Sequence, residues 1–436
     1  MEKKPLILRK LLFVFLLGML LIPWVQNKLK IVEVSPLKGA IKLNTPSYFS
    51  FSTWLSGDYQ NQKEKYLNES FGFRNICVRL NNQIAFNLFH EAKANGVVIG
   101  KENYLYEENY IKAYYGRDFI GNDSINHRME RLKFISDTLK KLHKNIIIVF
   151  AAGKGSFFPE YFPDQYKSEK SITNHDIYIK VAHDMGLNYI DFNTYFVNNK
   201  NKSKYKLYPK YGIHWSFYGE YLAADSIIKY IEHLRSITMP HLYWNTIAVE
   251  PAQGDDYDIG NGMNLLFNFK PDSLAYPTLQ YQSDSGKTKP SAIVISDSFF
   301  WGMFNFGIFK AFSDSHFWYY NKQIYPEYYQ SQLETDQVNI KDEIAKHDVF
   351  IIMATEATLP SLGWGFIEKT YNMFKGVSQK NAHDAAYMKK VRDICGYIKT
   401  DEAWLKKVKA QANEKGISLD SALLLNAIYS VEHPDK

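Results

Sequence analysis

The chain has 436 residues, 46% of them hydrophobic and 22% charged, which is enough apolar material for one large core or two smaller ones and excludes extended disorder. The formal net charge of +6 is modest for this length, and lysines and arginines are scattered rather than gathered in a stripe, which argues against nucleic-acid binding. Aromatic residues make up 16%, with 32 Tyr and 29 Phe; such rings serve cores first of all, and they also stack on the apolar faces of sugars.

Lys3, Lys4, Arg9 and Lys10 flank an uncharged apolar stretch over 11–25. Counted from 5 to 25, the run holds roughly 20 residues, about the span of a bilayer. It ends in Pro23-Trp24-Val25-Gln26-Asn27-Lys28 with no Ala-x-Ala pattern, so an uncleaved anchor is expected rather than a cleaved signal peptide. By the positive-inside rule the basic flank stays cytoplasmic and the rest of the chain lies across the membrane. Cys77 and Cys395 fit either one disulfide or two unpaired thiols, and they have no metal-type spacing.

After the anchor, 28–43 reads as a tether or first strand. The segment 60–94 carries Ile76, Leu80, Ile84, Phe86 and Leu88 at roughly helical intervals, predicting one or two helices. In 96–106 two β-rich runs flank a polar turn, predicting a hairpin. Asp123 or Ser124 is placed to cap a helix reaching about Lys144, and 145–150 reads as a buried strand with the loop Ala151-Ala152-Gly153-Lys154-Gly155 at its carboxyl end. A helix over 177–184, a strand over 189–191, a loop carrying His214, a helix over 216–233, and strands over 292–296, 316–320 and 349–353 follow. This alternation predicts an α/β fold with a mostly parallel sheet covered on both faces. Beyond Trp364 the apolar positions Val391, Ile394, Ile398, Leu405, Val408, Leu419, Leu423 and Ile428 fall at helical spacing. The expected organisation is a basic flank and anchor over 1–30, a main domain over 31–360 and a helical C-terminal extension over 361–436.

Two motifs carry chemistry. Ser298, in Ser296-Asp297-Ser298-Phe299-Phe300, follows a buried strand and so faces the crevice where open α/β sheets bind ligands. A serine hydroxyl is a poor nucleophile until a base takes its proton, and His214, in Gly212-Ile213-His214-Trp215, is the best candidate for that base. The bland alternatives are a helix-capping serine and a structural histidine beside Trp215. Lys154 is placed to approach a developing oxyanion or to be an ordinary loop lysine, and Tyr319, Tyr320 and Asn321 end a strand beside the presumed crevice, where they suit a glycan groove. Gly153-Lys154-Gly155-Ser156 is not a phosphate loop: the first glycine is missing and no Ser or Thr follows the lysine. No His-Glu-x-x-His or comparable cluster appears in the sequence, so no metal site is expected.

The run 96–106, the Lys154 loop, the Gly-Ile-His-Trp motif and the Asp-Ser-Phe-Phe motif, in that order, resemble the SGNH-hydrolase-like domain of the alginate O-acetyltransferase family, the AlgX and AlgJ type, over roughly 50–360. His214 precedes Ser298, the permuted order of that family, and Asp297-Ser298 and Trp215-Ser216 are similar to its motif positions. The resemblance implies transfer of acetyl groups to an exported polysaccharide through an acyl-serine, by a protein held in the bacterial inner membrane with its catalytic domain in the periplasm or otherwise outside the cytoplasm. It implies a membrane-bound O-acyltransferase partner that supplies the acetyl group, and no soluble cofactor. A carbohydrate esterase using the same pair and a non-catalytic glycan-binding or assembly protein are the rival readings.

The family motif is Asp-x-His-Trp, whereas this chain has Gly212 in place of the aspartate. Loss of the orienting acid costs a serine protease about 10⁴ in turnover. Three readings stay open: a backbone carbonyl holds His214, an acid elsewhere substitutes, or the site is inactive. Asp255, Asp256 and Asp258 are the candidate substitutes, with Asp258, Asp297, Lys154 and Trp215 marked as supporting residues.

Overall fold

The computed structural model describes residues 3–39, 45, 48–326, 333–376, 383–415 and 419–432. Among these, a seven-stranded sheet runs in the order β10-β9-β8-β7-β11-β3-β4. Its strands are β3 (Asn145–Ala151), β4 (Tyr189–Asp191), β7 (Ala292–Ser296), β8 (Ser315–Tyr319), β9 (Gln323–Pro326), β10 (Leu333–Glu334) and β11 (Val349–Thr355). The pairs from β8 through β7, β11 and β3 to β4 are parallel, and β9 and β10 add an antiparallel edge. The mostly parallel α/β sheet expected from the alternation is therefore present.

The central strands read as unbroken apolar runs because both faces are covered. On β11, Val349, Ile351 and Met353 enter one core while Phe350, Ile352 and Ala354 enter the other; β3 splits Ile147, Val149 and Ala151 from Ile146, Ile148 and Phe150 in the same way. The first core is roofed by helix Phe217–Arg235, whose Ser216 caps the Gly219 amide at 3.1 Å, and the second by helices Asn122–Lys141 and Asn174–Asp184. Gly121, not Asp123 or Ser124, occupies the N-cap position of helix Asn122–Lys141, with φ +88°, a conformation that glycine adopts without steric cost.

The expected hairpin is β1 (Val97–Ile99) against β2 (Leu105–Glu107). Segment 60–94 forms helix Asp58–Ser70 and helix Arg74–Phe89, while 30–39 is coil and 40–43 lies outside the described residues. An antiparallel ribbon of β5 (Leu242–Pro251) and β6 (Ser273–Tyr281), with a bulge between Trp244 and Ile247, was not expected; β5 is largely exposed, β6 is mixed, and neither alternates cleanly. The ribbon closes at its neck with the Ala252 amide donating to the Asp272 carbonyl at 2.7 Å, and the loop beyond that neck bears on the site below.

Helix Lys3–Leu29 contains the apolar stretch Ile7–Leu29, long and apolar enough to cross a membrane and unburied by the fold, as a membrane span or a signal sequence. At the other end, helix Phe366–Phe374 buries Phe366 and Ile367 in the core under the sheet, so that core continues past residue 360. Helices His383–Thr400, Glu402–Lys415 and Leu419–Glu432 have a small core of their own around Val391, Ile398, Val408 and Leu423. Cys77 and Cys395 are both free thiols.

Candidate active site

The connection after β3 leads outward to β4, whereas the connection after β7 leads the other way to β8, so the loops part above β11. Open α/β sheets hold ligands where such connections diverge, at the carboxyl ends of the strands. Ser298 stands there, on a short turn (Ser298–Phe300) directly after β7.

Asp297 fixes that turn. Fully buried, it accepts from the Phe299 amide at 3.1 Å, from the Thr355 amide at 3.2 Å and from the Thr358 hydroxyl at 2.7 Å, tying the end of β7 to the end of β11. Burial pushes its pKa up against these donors, so the carboxylate acts as a structural clamp and does not face the cleft as an acid. Gly302, one turn on, touches the buried Glu220 carboxyl closely enough that a Cβ there would force that carboxyl to move.

Three side chains form a line. Ser298 Oγ is 2.9 Å from His214 Nε2, and His214 Nδ1 is 2.8 Å from Asp258 Oδ2. The second oxygen of Asp258 accepts from the Ile213 amide at 3.0 Å and its neighbour Ile259's amide at 2.6 Å, which aims the first at the ring. With the carboxylate accepting at Nδ1, the lone pair sits on Nε2, facing the serine hydroxyl. Burial by itself lowers the His214 pKa; the hydrogen bond and charge of Asp258, with Asp255 and Asp297, outweigh it and hold the ring above the usual imidazole value.

Of the acids named as substitutes at Gly212, Asp258 is the one that meets the His214 ring. Asp258 begins helix Asp258–Gly262 in the loop beyond the neck of the β5–β6 ribbon. Tyr276 of β6 holds that loop by accepting from the Gln253 amide at 3.1 Å and donating to Asp256 at 2.8 Å; the Gly260 amide donates to the Tyr211 carbonyl at 2.9 Å. Asp256 is buried, and burial raises its carboxyl pKa to about 7. Asp255 contributes charge without contacting the ring.

Lys154 is placed differently from an oxyanion donor. It is wholly buried and donates to the carbonyls of Lys210 at 2.9 Å and Gly212 at 2.5 Å, pinning the histidine loop from beneath. Burial lowers its pKa to about 7 against the pull of Asp258, Asp272 and Glu107. Trp215 likewise points into the core, edge-on to Phe299 and Phe192, and Phe299 in turn packs against the His214 ring at 4.8 Å between centroids.

Tyr319, Tyr320 and Asn321 line a cavity of about 420 Å³ with Lys322, Gln323 and Thr335 among its other walls. Tyr320 and Asn321 both have φ +49°, forming the tight turn out of β8. That turn sets the Tyr320 phenol beside Ser298, where burial pushes its pKa up and keeps the hydroxyl protonated. Asn321 spends its amide on the Trp364 carbonyl at 2.9 Å, and Tyr320 meets Trp364 edge-on at 5.3 Å. Two neighbours escaped the sequence reading: Glu107, at the end of β2, whose pKa is raised by burial and by Asp258, and Trp364 itself. Neither belongs to a motif, so only the fold brings them here.

No family model matches the chain, and no curated protein matches it. Among solved structures it is similar to the O-acetyltransferase domain of Pseudomonas putida AlgJ, at 18% identity and a TM-score of 0.41 over 64% of this chain and 99% of that one. It is similar also to Bacillus cereus PatB1 carrying a sulfonyl adduct, at 11% and 0.40 over 62% and 99%, and to Pseudomonas aeruginosa AlgX, at 13% and 0.41 over 66% and 69%. Likeness at this level assigns no chemistry.

Proposed function

We propose that the chain is a membrane-anchored O-acetyltransferase that moves an acetyl group onto hydroxyls of an exported polysaccharide through an acetyl-serine. The observation that carries the reading is the continuous Ser298–His214–Asp258 line, at 2.9 and 2.8 Å. Such a line activates a hydroxyl for acyl transfer and orients the base that does it.

In the first half-reaction His214 Nε2 takes the Ser298 proton as Oγ attacks the acetyl carbonyl, and Asp258 stabilises the imidazolium that forms. The Phe299 amide is committed to Asp297; the donors we assign to the developing oxyanion are the Ser298 amide and the protonated Tyr320 phenol. His214 then passes its proton to the leaving donor group. In the second half, His214 takes the proton of an acceptor hydroxyl as that oxygen attacks the acetyl-serine, and returns it to Ser298 Oγ as the ester breaks. Tyr319 and Tyr320 in one cavity, and Trp364 in the neighbouring one that shares Tyr320 and Asn321, supply the rings against which a sugar lies. The resemblance to the alginate O-acetyltransferase family implies an acetyl donor arriving from a membrane-bound O-acyltransferase, and in this reading the apolar N-terminal helix tethers the site to the bacterial inner membrane, outside the cytoplasm.

Ser298→Ala in cells should abolish glycan O-acetylation while the protein accumulates normally; retained acetylation overturns the assignment. In vitro, turnover of an activated ester that rises when oligosaccharide is added and yields acetylated sugar marks a transferase. Turnover indifferent to sugar marks an esterase using the same residues.

A further inference from the structure

At the opposite edge of the sheet from Ser298, where β8 and β11 begin, Asp314, His316 and His347 converge although no spacing in the sequence signals it. Asp314 ends the loop before β8, His316 lies within β8, and His347 joins helix Ile340–Lys346 to β11. One ligand-type atom from each lies within 4.8 Å of the other two. His347 Nε2 is 3.6 Å from Asp314 Oδ2, and His316 Nε2 is 3.6 Å from Asp314 Oδ1. These separations are long for hydrogen bonds. The two histidines face different oxygens of Asp314, and ligands bound at about 2.1 Å to one tetrahedral ion stand roughly 3.4 Å apart, so the three groups would draw together slightly around an ion.

Ring orientation is the second and stronger observation. Histidines that bind a metal through one nitrogen present the other to a carbonyl or carboxylate, which fixes the tautomer. His347 Nδ1 donates to the Glu343 carbonyl at 2.8 Å, whereas His316 Nδ1 only faces the Glu343 carboxylate, 3.5 Å away and without a hydrogen bond. Both rings thus turn Nδ1 toward Glu343 and Nε2 toward Asp314. His347 is wholly buried, and its Nε2 lone pair has no hydrogen-bond partner, an arrangement that is costly if nothing binds there. Asp314, with its side chain 56% exposed, provides an entry path and room for a water as fourth ligand.

We propose that Asp314, His316 and His347 form a divalent transition-metal site of the zinc class that clamps the amino edge of the sheet. Two imidazole nitrogens and one carboxylate oxygen suit zinc and disfavour magnesium or calcium, which take oxygen ligands. The ion joins β8 and β11, the two strands flanking β7, and so braces the strand whose far end carries Ser298. Its role is structural.

The test uses the full-length chain in detergent, without a histidine tag and stripped by chelator. Equilibrium dialysis against zinc should give one ion per chain, with Tm raised by about 2–4 °C at saturating zinc. Magnesium should produce neither effect. Because a change at buried His347 risks misfolding, the variants are Asp314→Asn and His316→Gln at the more exposed positions; each should weaken zinc binding at least tenfold, whereas Ser298→Ala should bind zinc as the parent does. No zinc bound by the parent, or equal binding by the parent and Asp314→Asn, overturns the proposal.

Discussion

Gly212 and Asp255 approach so closely that a Cβ on Gly212 would stand 2.7 Å from the Asp255 carbonyl oxygen and 2.8 Å from that of Asp256. Real Cβ atoms do not tolerate such a contact with backbone, so a side chain at 212 and the present path of the 254–258 loop exclude one another. The missing aspartate and the presence of Asp258 are one feature: removing the side chain beside His214 makes room for the loop that delivers another acid. Gly212→Asp should therefore not repair the site. It should displace Asp258 and lower acyl transfer by at least tenfold, with a fall in Tm, and Gly212→Ala should do the same in weaker form. An increase in turnover in Gly212→Asp would show that the loop's acid is dispensable.

Asp258→Asn keeps the shape and removes the charge. An amide can offer its N–H to Nδ1, which moves the ring proton to Nε2 and turns it away from serving as a base. Turnover should fall by about 10²–10⁴ while KM changes little, because Asp258 acts through His214 and not on the substrate. Single-turnover acetylation of Ser298 by an activated ester checks this; a loss of less than about fivefold would mean that His214 is oriented by something else.

The pH profile carries a signed prediction. The base form of His214 is needed, so acyl transfer should rise with pH through a midpoint above about 6.5, the ordinary imidazole value. In Asp258→Asn the midpoint should fall below that of the parent, since burial then acts with less opposition. For stability the sign is reversed. A histidine whose folded pKa is raised contributes stabilisation that is complete below its unfolded pKa and is lost as pH rises through the folded one. The Tm gap between parent and Asp258→Asn should thus be wider at about pH 6 than at about pH 9. A gap that widens toward high pH would contradict the raised pKa.

What the sequence reveals follows from how local each determinant is. Strands β3, β7 and β11 are legible because burial on both faces writes an uninterrupted apolar run. Ser298 and His214 are legible because each sits in a short motif placed by neighbouring elements. The sequence offers Asp258 as a support without separating its role from those of Asp255 and Asp256, because the choice rests on the neck of a ribbon in which β5 is mostly exposed, β6 is mixed, and neither strand alternates cleanly. Lys154 was visible as a residue but not as a pin, since its partners at Lys210 and Gly212 lie across the cleft floor. Asp314, His316 and His347 leave no spacing signal because the rest of β8, strands β9 and β10 and helix Ile340–Lys346 separate the two histidines.

Lys154 offers a test that separates support from catalysis. Lys154→Met preserves length but leaves the Lys210 and Gly212 carbonyls without their donor, a loss of about 2–4 kcal/mol for one buried and one partly buried acceptor. Its depressed pKa means that the unfolded chain binds the extra proton between about 7 and the free lysine value of 10.5, so this residue makes the parent more stable as pH rises across that window. Lys154→Met should flatten that rise in chemical denaturation. Residual activity at low temperature, where the variant stays folded, should remain within about tenfold of the parent; a collapse in turnover with unchanged stability would put the ammonium at the reacting oxygen after all.

Tyr320 and Trp364 divide the work at the mouth of the site. Tyr320 reaches Ser298 with its hydroxyl and Trp364 with its ring, so Tyr320→Phe removes the donor and retains the packing. Loss of one oxyanion donor costs on the order of 10²–10³ in turnover where it is a principal donor, and less where the Ser298 amide shares the task. Tyr320→Phe should therefore slow both acylation by an activated ester and transfer to oligosaccharide, with KM for either nearly unchanged. Trp364→Ala should behave oppositely, since it removes a stacking surface and the edge contact that props Tyr320 without touching the triad. Acylation by a small ester should stay within a few fold, while KM for the oligosaccharide acceptor should rise by about tenfold, the value of roughly 1.4 kcal/mol of lost ring contact. Measuring the two half-reactions separately, by rapid quench for the acetyl-serine and by product mass for the sugar, distinguishes the residues; equal slowing of both steps by Trp364→Ala would place the acceptor elsewhere along the cleft.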